Sequence, residues 1–489
     1  MATFTFSLIA LVLGYFLYGK TVERIFAPDP NRKTPAISMA DGVDYIPLPG
    51  WKIFMIQFLN IAGTGPIFGA ILGAKFGPAA YLWIVLGCIF AGAVHDYLIG
   101  MLSVRHGGAN LPELVGTYLG RRTKTVMLYF SVFLLLMVAA VFVYSPAEIL
   151  SNMGGSEMLW IAVIFIYYAL ATMLPIDKII GRFYPVFAFA LLFMAAALMV
   201  VLFIKRPVLP ELWDGIGNLG AQKLGMTEQL FPCLFITIAC GAISGFHGTQ
   251  SPLMARCLTN EKQGRRIFYG SMIAEGVVAL VWATVAMYFF YNNPQPGYEL
   301  LNGVTKGASS SAPAIVTIIC QNWLGVVGSI LAILGVVAAP ITSGDTALRS
   351  ARLIIAEALH LDQKSIVKRF YIAIPMFAAL ILLLLWHMGN PNGFQIIWSW
   401  FGWSNQTLAV FSLWTATVYL VWKQKAFIIT LIPALFMTVV CTTFLLISEQ
   451  AFALPQKIAY TGGAISLVIA FGWFVWWYSH QDRNNTHKQ

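Results

Sequence analysis

Thirteen apolar runs of about 20 residues divide this chain, and that is the length an α-helix needs to cross the hydrocarbon of a bilayer. They cover residues 3–19, 53–74, 79–103, 125–147, 158–175, 183–204, 226–247, 267–290, 314–342, 370–388, 394–422, 426–447 and 458–478. The runs show no apolar–polar alternation, which argues against membrane strands. The expectation is an all-α polytopic membrane protein with about 13 transmembrane helices. Composition points the same way. Only 10% of the 489 residues are charged, 59% are apolar and the mean hydropathy is +0.76. A soluble globular chain carries about 25% charged residues.

The net charge of +10 suggests an anionic partner until the basic residues are placed. With the N-terminus outside, the cytoplasmic segments hold Lys20, Arg24, Arg32, Lys33, Lys52, Arg105, Arg121, Arg122, Lys124, Lys178, Arg182, Arg256, Lys262, Arg265 and Arg266. They also hold Arg349, Arg352, Lys364, Lys368, Arg369, Lys423, Lys425, Arg483 and Lys488, which makes 24 of the 30. The outer side keeps six: Lys75, Lys205, Arg206, Lys223, Lys306 and Lys457. That asymmetry predicts N-out, C-in and explains the charge as topology, so no nucleic-acid partner is needed. The first run has no basic residue before it and no A-x-A-like site after it, so it reads as a retained helix and not a cleaved signal. The chain has no G-x-x-x-x-G-K-[ST] phosphate loop and therefore no P-loop ATPase of its own. The six cysteines form no C-x-x-C pair and read as small apolar packing residues.

Two runs carry helix-breaking residues at their centres. The second reads Gln57-Phe-Leu-Asn60-Ile-Ala62-Gly63-Thr64-Gly65-Pro66, where two glycines weaken the helix and the proline removes a backbone donor. The seventh reads Cys240-Gly241-Ala-Ile-Ser244-Gly245-Phe-His247-Gly248-Thr249-Gln250-Ser251-Pro252. Close packing at glycines and a simple proline kink are the competing explanation. The spacing favours two unwound helices. The second and seventh runs are five apart and cross in opposite directions, so runs 2–6 and 7–11 form two five-helix units of opposite topology. This is the pointer to a LeuT-like 5+5 inverted repeat with extra N- and C-terminal helices. Its segments are 1–52 (an extra helix and a cytoplasmic loop), 53–204 (first repeat), 205–422 (second repeat) and 423–489 (two further helices and a tail). Unwound backbone at membrane depth leaves N–H and C=O groups that a ligand, an ion or water must satisfy. The positive N-termini of half-helices favour a carboxylate, and free carbonyls favour a cation.

At these residues the sequence resembles the carbon starvation protein A family. The matching stretches are Asp41-Gly-Val-Asp44-Tyr45, Ile61-Ala-Gly-Thr-Gly-Pro66, Ala91-Gly-Ala-Val-His95-Asp96 and Cys240-Gly-Ala-Ile-Ser-Gly-Phe-His247. Asp345 to Arg349, with Arg352 following, resembles a D-x-x-x-R segment, and Phe401-Gly402 with Asn405-Gln406 resembles an F-G-x-x-N-Q motif. The resemblance implies a prokaryotic cytoplasmic-membrane transporter of the amino acid–polyamine–cation superfamily. Peptides are the uptake substrate it usually implies, and pyruvate import with protons is linked to some members. The chain is similar to the shorter members. It departs from longer ones after His247, where Gly248 to Pro252 replaces a small, Thr-rich stretch.

Acidic side chains at membrane depth are functional candidates by default. Asp96, beside His95, reads as a proton relay or ion-coupling group, or as a helix-locking hydrogen-bond acceptor. Glu275, two turns into the eighth run with no basic residue in its own helix, reads as a proton-coupling acid or a buried neutral hydrogen bond. By fold analogy, Thr342 and Ser343 with carbonyls near Ala62 are sodium candidates; the competing reading makes one of them the N-cap of the helix carrying Arg349 and Arg352. Substrate contacts are assigned to Gln57, Asn60, Gly63, Thr64, Gly65, Ser244, Gly245, His247, Asn405 and Gln406. For the last two, the alternative is a tie between the eleventh and second runs. His95, His247 and the cysteines lack metal-ligand spacing, so no metal and no cofactor is expected.

The expected activity is gradient-driven import, by alternating access around a midplane site, of small carbon sources bearing a carboxylate, peptides or pyruvate-like acids, with a proton or sodium ion. A channel, or a starvation-response membrane protein without transport, is the alternative. An enzyme is not expected, because no H-E-x-x-H, G-x-S-x-G or paired carboxylate lies in a run. Aromatic-rich runs outside the ten-helix core leave room for a homodimer, and the sequence is silent on a small partner subunit.

Overall fold

Lipid offers the backbone no partner, so each apolar run must satisfy its own amides, and the described residues are predominantly helical. The computed structural model describes residues 1–151, 154–173, 176–291, 312–361, 366–390 and 393–481. Lys306, Lys364, Arg483 and Lys488, counted above in the charge distribution, lie outside the described residues. Among the described residues there is no strand. Eight helices there are long and apolar enough to cross a membrane, or nine if one bent pair counts as a single span.

The bent pair is the second run: Gly50–Ile61 and Gly65–Ala74 meet at 53° across the Ala62-Gly63-Thr64 break. The seventh run is likewise interrupted, with helix over Leu230–Thr237, open chain over 238–244, and helix again over Gly245–Ala255. The uninterrupted helices are Ala79–Arg105, Arg121–Ser151, Glu157–Met173, Ile176–Lys205 and Glu261–Tyr291. After them come Ala312–Ala358, which is kinked at Gly325 (φ 63°), and then Ile366–Met388, Gly393–Trp422, Ile428–Ile447 and Gln456–Ser479.

Burial sorts these helices into centre and rim. The most apolar windows of Ala79–Arg105 and Glu261–Tyr291 are 83% buried, against 17% for Gln456–Ser479, whose Val468, Ile469 and Trp473 face outward. The breaks sit between the two central helices and exchange partners across them. The Gly65–Ala74 half lies against Gly270–Tyr291, while the Gly245–Ala255 half lies against Ala93–Arg105. Arg121–Ser151 and Ala312–Ala358 run along one another.

Glycine makes these crossings close. A Cβ on Gly92 would stand 2.2 Å from the Ala242 carbonyl oxygen, and one on Gly241 would stand 2.4 Å from the Ala279 Cβ. Helices approach this closely only where a side chain is missing.

The helix that follows residue 312 corrects the sequence reading. The ninth run was expected to end at 342, with Thr342 or Ser343 as an N-cap and Asp345 just beyond the span. Instead helix continues through these residues to Ala358, and all three are buried. The polar residues face inward, and most of their polar atoms find partners there. Thr342 Oγ1 donates to the carbonyls of Ala338 and Ala339, and Tyr184 donates its hydroxyl to Asp345 Oδ2 at 2.7 Å. Arg349, four residues after Asp345 on the same helix, donates to the Ala171 carbonyl at 2.9 Å and lies 3.9 Å from Asp44.

Candidate functional site

Three helices that are distant in sequence bring their charged groups together between the two breaks. Asp96, from the central helix Ala79–Arg105, sits between two imidazoles: His95 Nδ1 at 2.7 Å from Oδ1 and His247 Nδ1 at 2.8 Å from Oδ2. His247 stands in the first turn of the second half of the broken seventh run, and its Nε2 faces Glu275 Oε2 at 3.3 Å. All four side chains are fully buried. The outer two contacts differ in kind. Both oxygens of Asp96 accept hydrogen bonds, whereas neither oxygen of Glu275, nor Nε2 of His247, has a hydrogen-bond partner within the protein. A buried polar atom without a partner is costly, so a line of them marks a place built for something else.

Cys240 completes this cluster. Its sulfur, His247 and Glu275 offer donor atoms that all lie within 4.8 Å of one another. It is also where the two breaks touch, since a Cβ on Gly65 would fall 2.3 Å from the Cys240 sulfur. The rest of the first break is lined by unsatisfied groups. Asn60 Oδ1 and Nδ2, Gln57 Oε1 and Thr64 Oγ1 are buried without hydrogen bonds, while Gln57 Nε2 reaches Ser251 Oγ at 3.4 Å. Ser343 Oγ donates to the Leu59 carbonyl at 2.9 Å, which sets it beside the break, one turn before the Ala62 position expected of it.

Asn405 and Gln406 hold the second break open. Asn405 Oδ1 accepts from the Phe246 amide at 2.7 Å and from Ser244 Oγ at 3.0 Å, capping the second half-helix from a neighbouring helix. Gln406 Nε2 donates to the Phe235 carbonyl at 2.8 Å in the first half. The expected alternative was a tie to the second run; the structure ties them to the seventh. Trp83 adds a third support, donating its indole N–H to the Ile238 carbonyl at 2.8 Å.

A vestibule of about 510 Å³ lies beside this point. Lys75, Glu228, Gln229, Thr237, Trp398 and Glu449 are among its lining residues. A separate cavity of about 10 Å³ at the breaks is bordered by Cys240 and Gly65 and shares Ile236, Thr237 and Trp398 with the vestibule wall. Trp398 lines both cavities. At the other end of the bundle, side chains bridge neighbouring helices and loops. Arg105 grips Glu261 through Nε at 3.2 Å and Nη2 at 3.0 Å, and Arg256 Nε donates to the Gly108 carbonyl at 2.9 Å.

The family model described as "Carbon starvation protein CstA" matches residues 1–154, 143–320 and 298–444. The chain belongs to the CstA family. An uncharacterized membrane protein of Haemophilus influenzae is 46% identical over 358 residues, covering 63% of this chain and 95% of its own length. The peptide transporter CstA of Escherichia coli is 25% identical over 523 residues, covering 82% of this chain and 74% of its own. The pyruvate/proton symporter BtsT of Escherichia coli is 28% identical over 377 residues, covering 62% of this chain and 51% of its own. A crystal structure of the Eremococcus coleocola manganese transporter superposes with a TM-score of 0.58 at 12% identity, over 90% of this chain and 98% of that one, a likeness of fold. Membrane transport is the activity these relationships support, in a multi-pass protein of the bacterial inner membrane.

Within this CstA-family fold, two contributors to the site escaped the sequence reading. Cys240 was taken for packing, although a thiol seven residues before His247 in a glycine-rich break was a usable signal. Trp83 carried none, because nothing local shows that its N–H meets a carbonyl 155 residues away. The Asn405 cap has a measurable consequence. Asn405→Ala removes both bonds and leaves the Phe246 amide buried without a partner, at a cost of about 2 kcal/mol. The expected result is a fall of several degrees in the unfolding midpoint of the detergent-purified protein. An unchanged midpoint would show that the cap is not needed.

Proposed function

We propose that the chain is a secondary active importer of small carbon sources, taking peptides or pyruvate-like carboxylates up against their gradient by alternating access. The observation that carries this reading is the vestibule that shares a wall with the cavity at the meeting point of two broken helices. The exchange of partners between the two breaks supports a LeuT-like arrangement in which residues 53–204 and 205–422 are inverted repeats within thirteen spans. Substrate would lie along the first break at Gln57, Asn60, Gly63, Thr64 and Gly65, facing Ser244, Gly245 and His247. The N-terminus of the Gly245–Ala255 half-helix favours a carboxylate there. Asn405 and Gln406 would shape this site by holding the second half-helix.

For the coupling ion, the buried line His95–Asp96–His247–Glu275 favours a proton. The sodium candidates Thr342 and Ser343 already donate their hydroxyls to carbonyls, so a proton asks for less rearrangement. The vestibule opens at the end holding Lys75, the end poor in basic residues, which the positive-inside rule places outside the cell. The state described is thus outward-facing, with the Arg105–Glu261 pair closing the cytoplasmic side.

The test is uptake of labelled pyruvate and of a labelled dipeptide into proteoliposomes, with a proton or a sodium gradient imposed separately. The expected result is saturable uptake of one of them, driven by the proton gradient and not by sodium. Uptake driven by sodium would overturn the coupling, and absence of uptake of either compound would remove the substrate class.

A further inference from the structure

We propose that Cys240, His247 and Glu275 form a binding site for a divalent transition-metal cation of the zinc type. Three different donors, a sulfur, an imidazole nitrogen and a carboxylate oxygen, converge within 4.8 Å of one another. Around a tetrahedral zinc, with bonds of roughly 2.0–2.3 Å, donor atoms stand roughly 3.3–3.8 Å apart. The set is therefore slightly wider than a loaded site and closes by a shift of about 1 Å, within the reach of side-chain rotation.

The orientation of the donors is the stronger argument. A metal-binding histidine usually gives its other ring N–H to a carboxylate, which fixes the tautomer and aims the free lone pair. His247 is held in this way, with Nδ1 at 2.8 Å from Asp96 Oδ2, and the free Nε2 points into the cluster. Nε2 and both Glu275 oxygens are fully buried and lack hydrogen-bond partners. Cys240 is positioned as well, since Asn405 Nδ2 lies 3.6 Å from its sulfur.

Chemistry narrows the cation. A thiolate with an imidazole suits zinc-type ions and discriminates against sodium, magnesium and calcium, which prefer all-oxygen shells. One thiolate and one carboxylate neutralise a divalent charge, so the filled site carries no net charge into the low-dielectric centre. On binding, the Cys240 thiol proton, and any proton held by Glu275, is released to water. The cation would approach from the vestibule, because Cys240 and Gly65 border a cavity of about 10 Å³ that shares Ile236, Thr237 and Trp398 with the vestibule wall. Three protein donors leave at least one coordination position for water or an anionic ligand.

This inference does not depend on the transport reading, although a bound cation would occupy the lone pair that a proton uses there. The test is a titration of the full-length, detergent-purified protein with cobalt(II), which reports thiolate ligation by a near-ultraviolet charge-transfer band. The expected result is saturation at one cobalt per chain with that band present, and displacement by zinc. Cys240→Ser should abolish the band, Cys233→Ser should leave it unchanged, and Glu275→Gln should weaken binding at least tenfold. The wild-type titration alone is decisive if a variant fails to fold. No saturable binding, or saturation without a thiolate band, overturns the proposal, and so does a band that survives Cys240→Ser.

Discussion

Glu275→Gln is expected to abolish gradient-driven accumulation while leaving the protein folded and able to exchange substrate. The reason lies in the contrast between the two acids of the site. Asp96 uses both oxygens to hold two imidazoles, whereas Glu275 makes only the 3.3 Å approach to His247 Nε2 and has no hydrogen bond on either oxygen. An amide of the same shape therefore removes little from the fold but removes the group that takes up and releases a proton. Concentrative uptake should fall by at least ~100-fold, the equivalent of about 3 kcal/mol. Counterflow of labelled substrate against preloaded substrate needs no net proton movement and should persist. Asp96→Asn should behave differently. It withdraws a charge from between His95 and His247, and breaking one partner of a buried charged contact costs about 3–5 kcal/mol. Both counterflow and the unfolding midpoint should drop. If Glu275→Gln loses counterflow too, or keeps full accumulation, the assignment of Glu275 as the exchanging acid fails.

The second large effect is expected at Gly65. A methyl group there would stand 2.3 Å from the sulfur and 2.4 Å from the Cβ of Cys240, well inside contact distance. The neighbours cannot yield easily, since the same interface is close along its length: a Cβ on Gly69 would stand 2.7 Å from the Thr237 carbonyl oxygen and one on Gly73 would stand 2.2 Å from Ile238. Gly65→Ala should therefore cost about 1–3 kcal/mol by overpacking and push the two breaks apart. Uptake should be lost even where some folded protein remains. Cys240→Gly in the same chain removes both clashing atoms and should restore much of the unfolding midpoint. Because uptake also depends on the geometry of the breaks, thermal unfolding of the single and double variants is the clean readout. Equal midpoints for wild type and Gly65→Ala would show that the crossing is looser than the structure describes.

How much of this was legible beforehand follows from the range of each signal. The breaks were legible because Gly63, Gly65, Pro66, Gly241 and Gly245 act on the backbone where they stand. Asp96 and Glu275 were legible as candidates because charge is expensive at that depth. Their convergence on His247 was not, since it depends on how three helices pack, and no local pattern encodes a contact such as Asp96 to His247 across 151 residues. The ninth run misled for a related reason. Thr342, Ser343 and Asp345 read as the end of a span because they are polar, yet polar residues in a bundle may equally face its interior. Here Tyr184 donates to Asp345, Thr342 donates to carbonyls of its own helix and Ser343 donates to the Leu59 carbonyl. Cys240 reads as packing because a buried thiol usually is; its place seven residues before His247 in the glycine-rich break is the one local signal, and its nearness to Glu275 shows only in the folded chain.

The most direct test of the account is the accumulation ratio of the transported compound in proteoliposomes under an imposed inward proton gradient. The account predicts saturable uptake that rises above the outside concentration and collapses when a protonophore is added. Flux that grows linearly with concentration and stops at equal concentrations, indifferent to the protonophore, would contradict it and identify the protein as a channel.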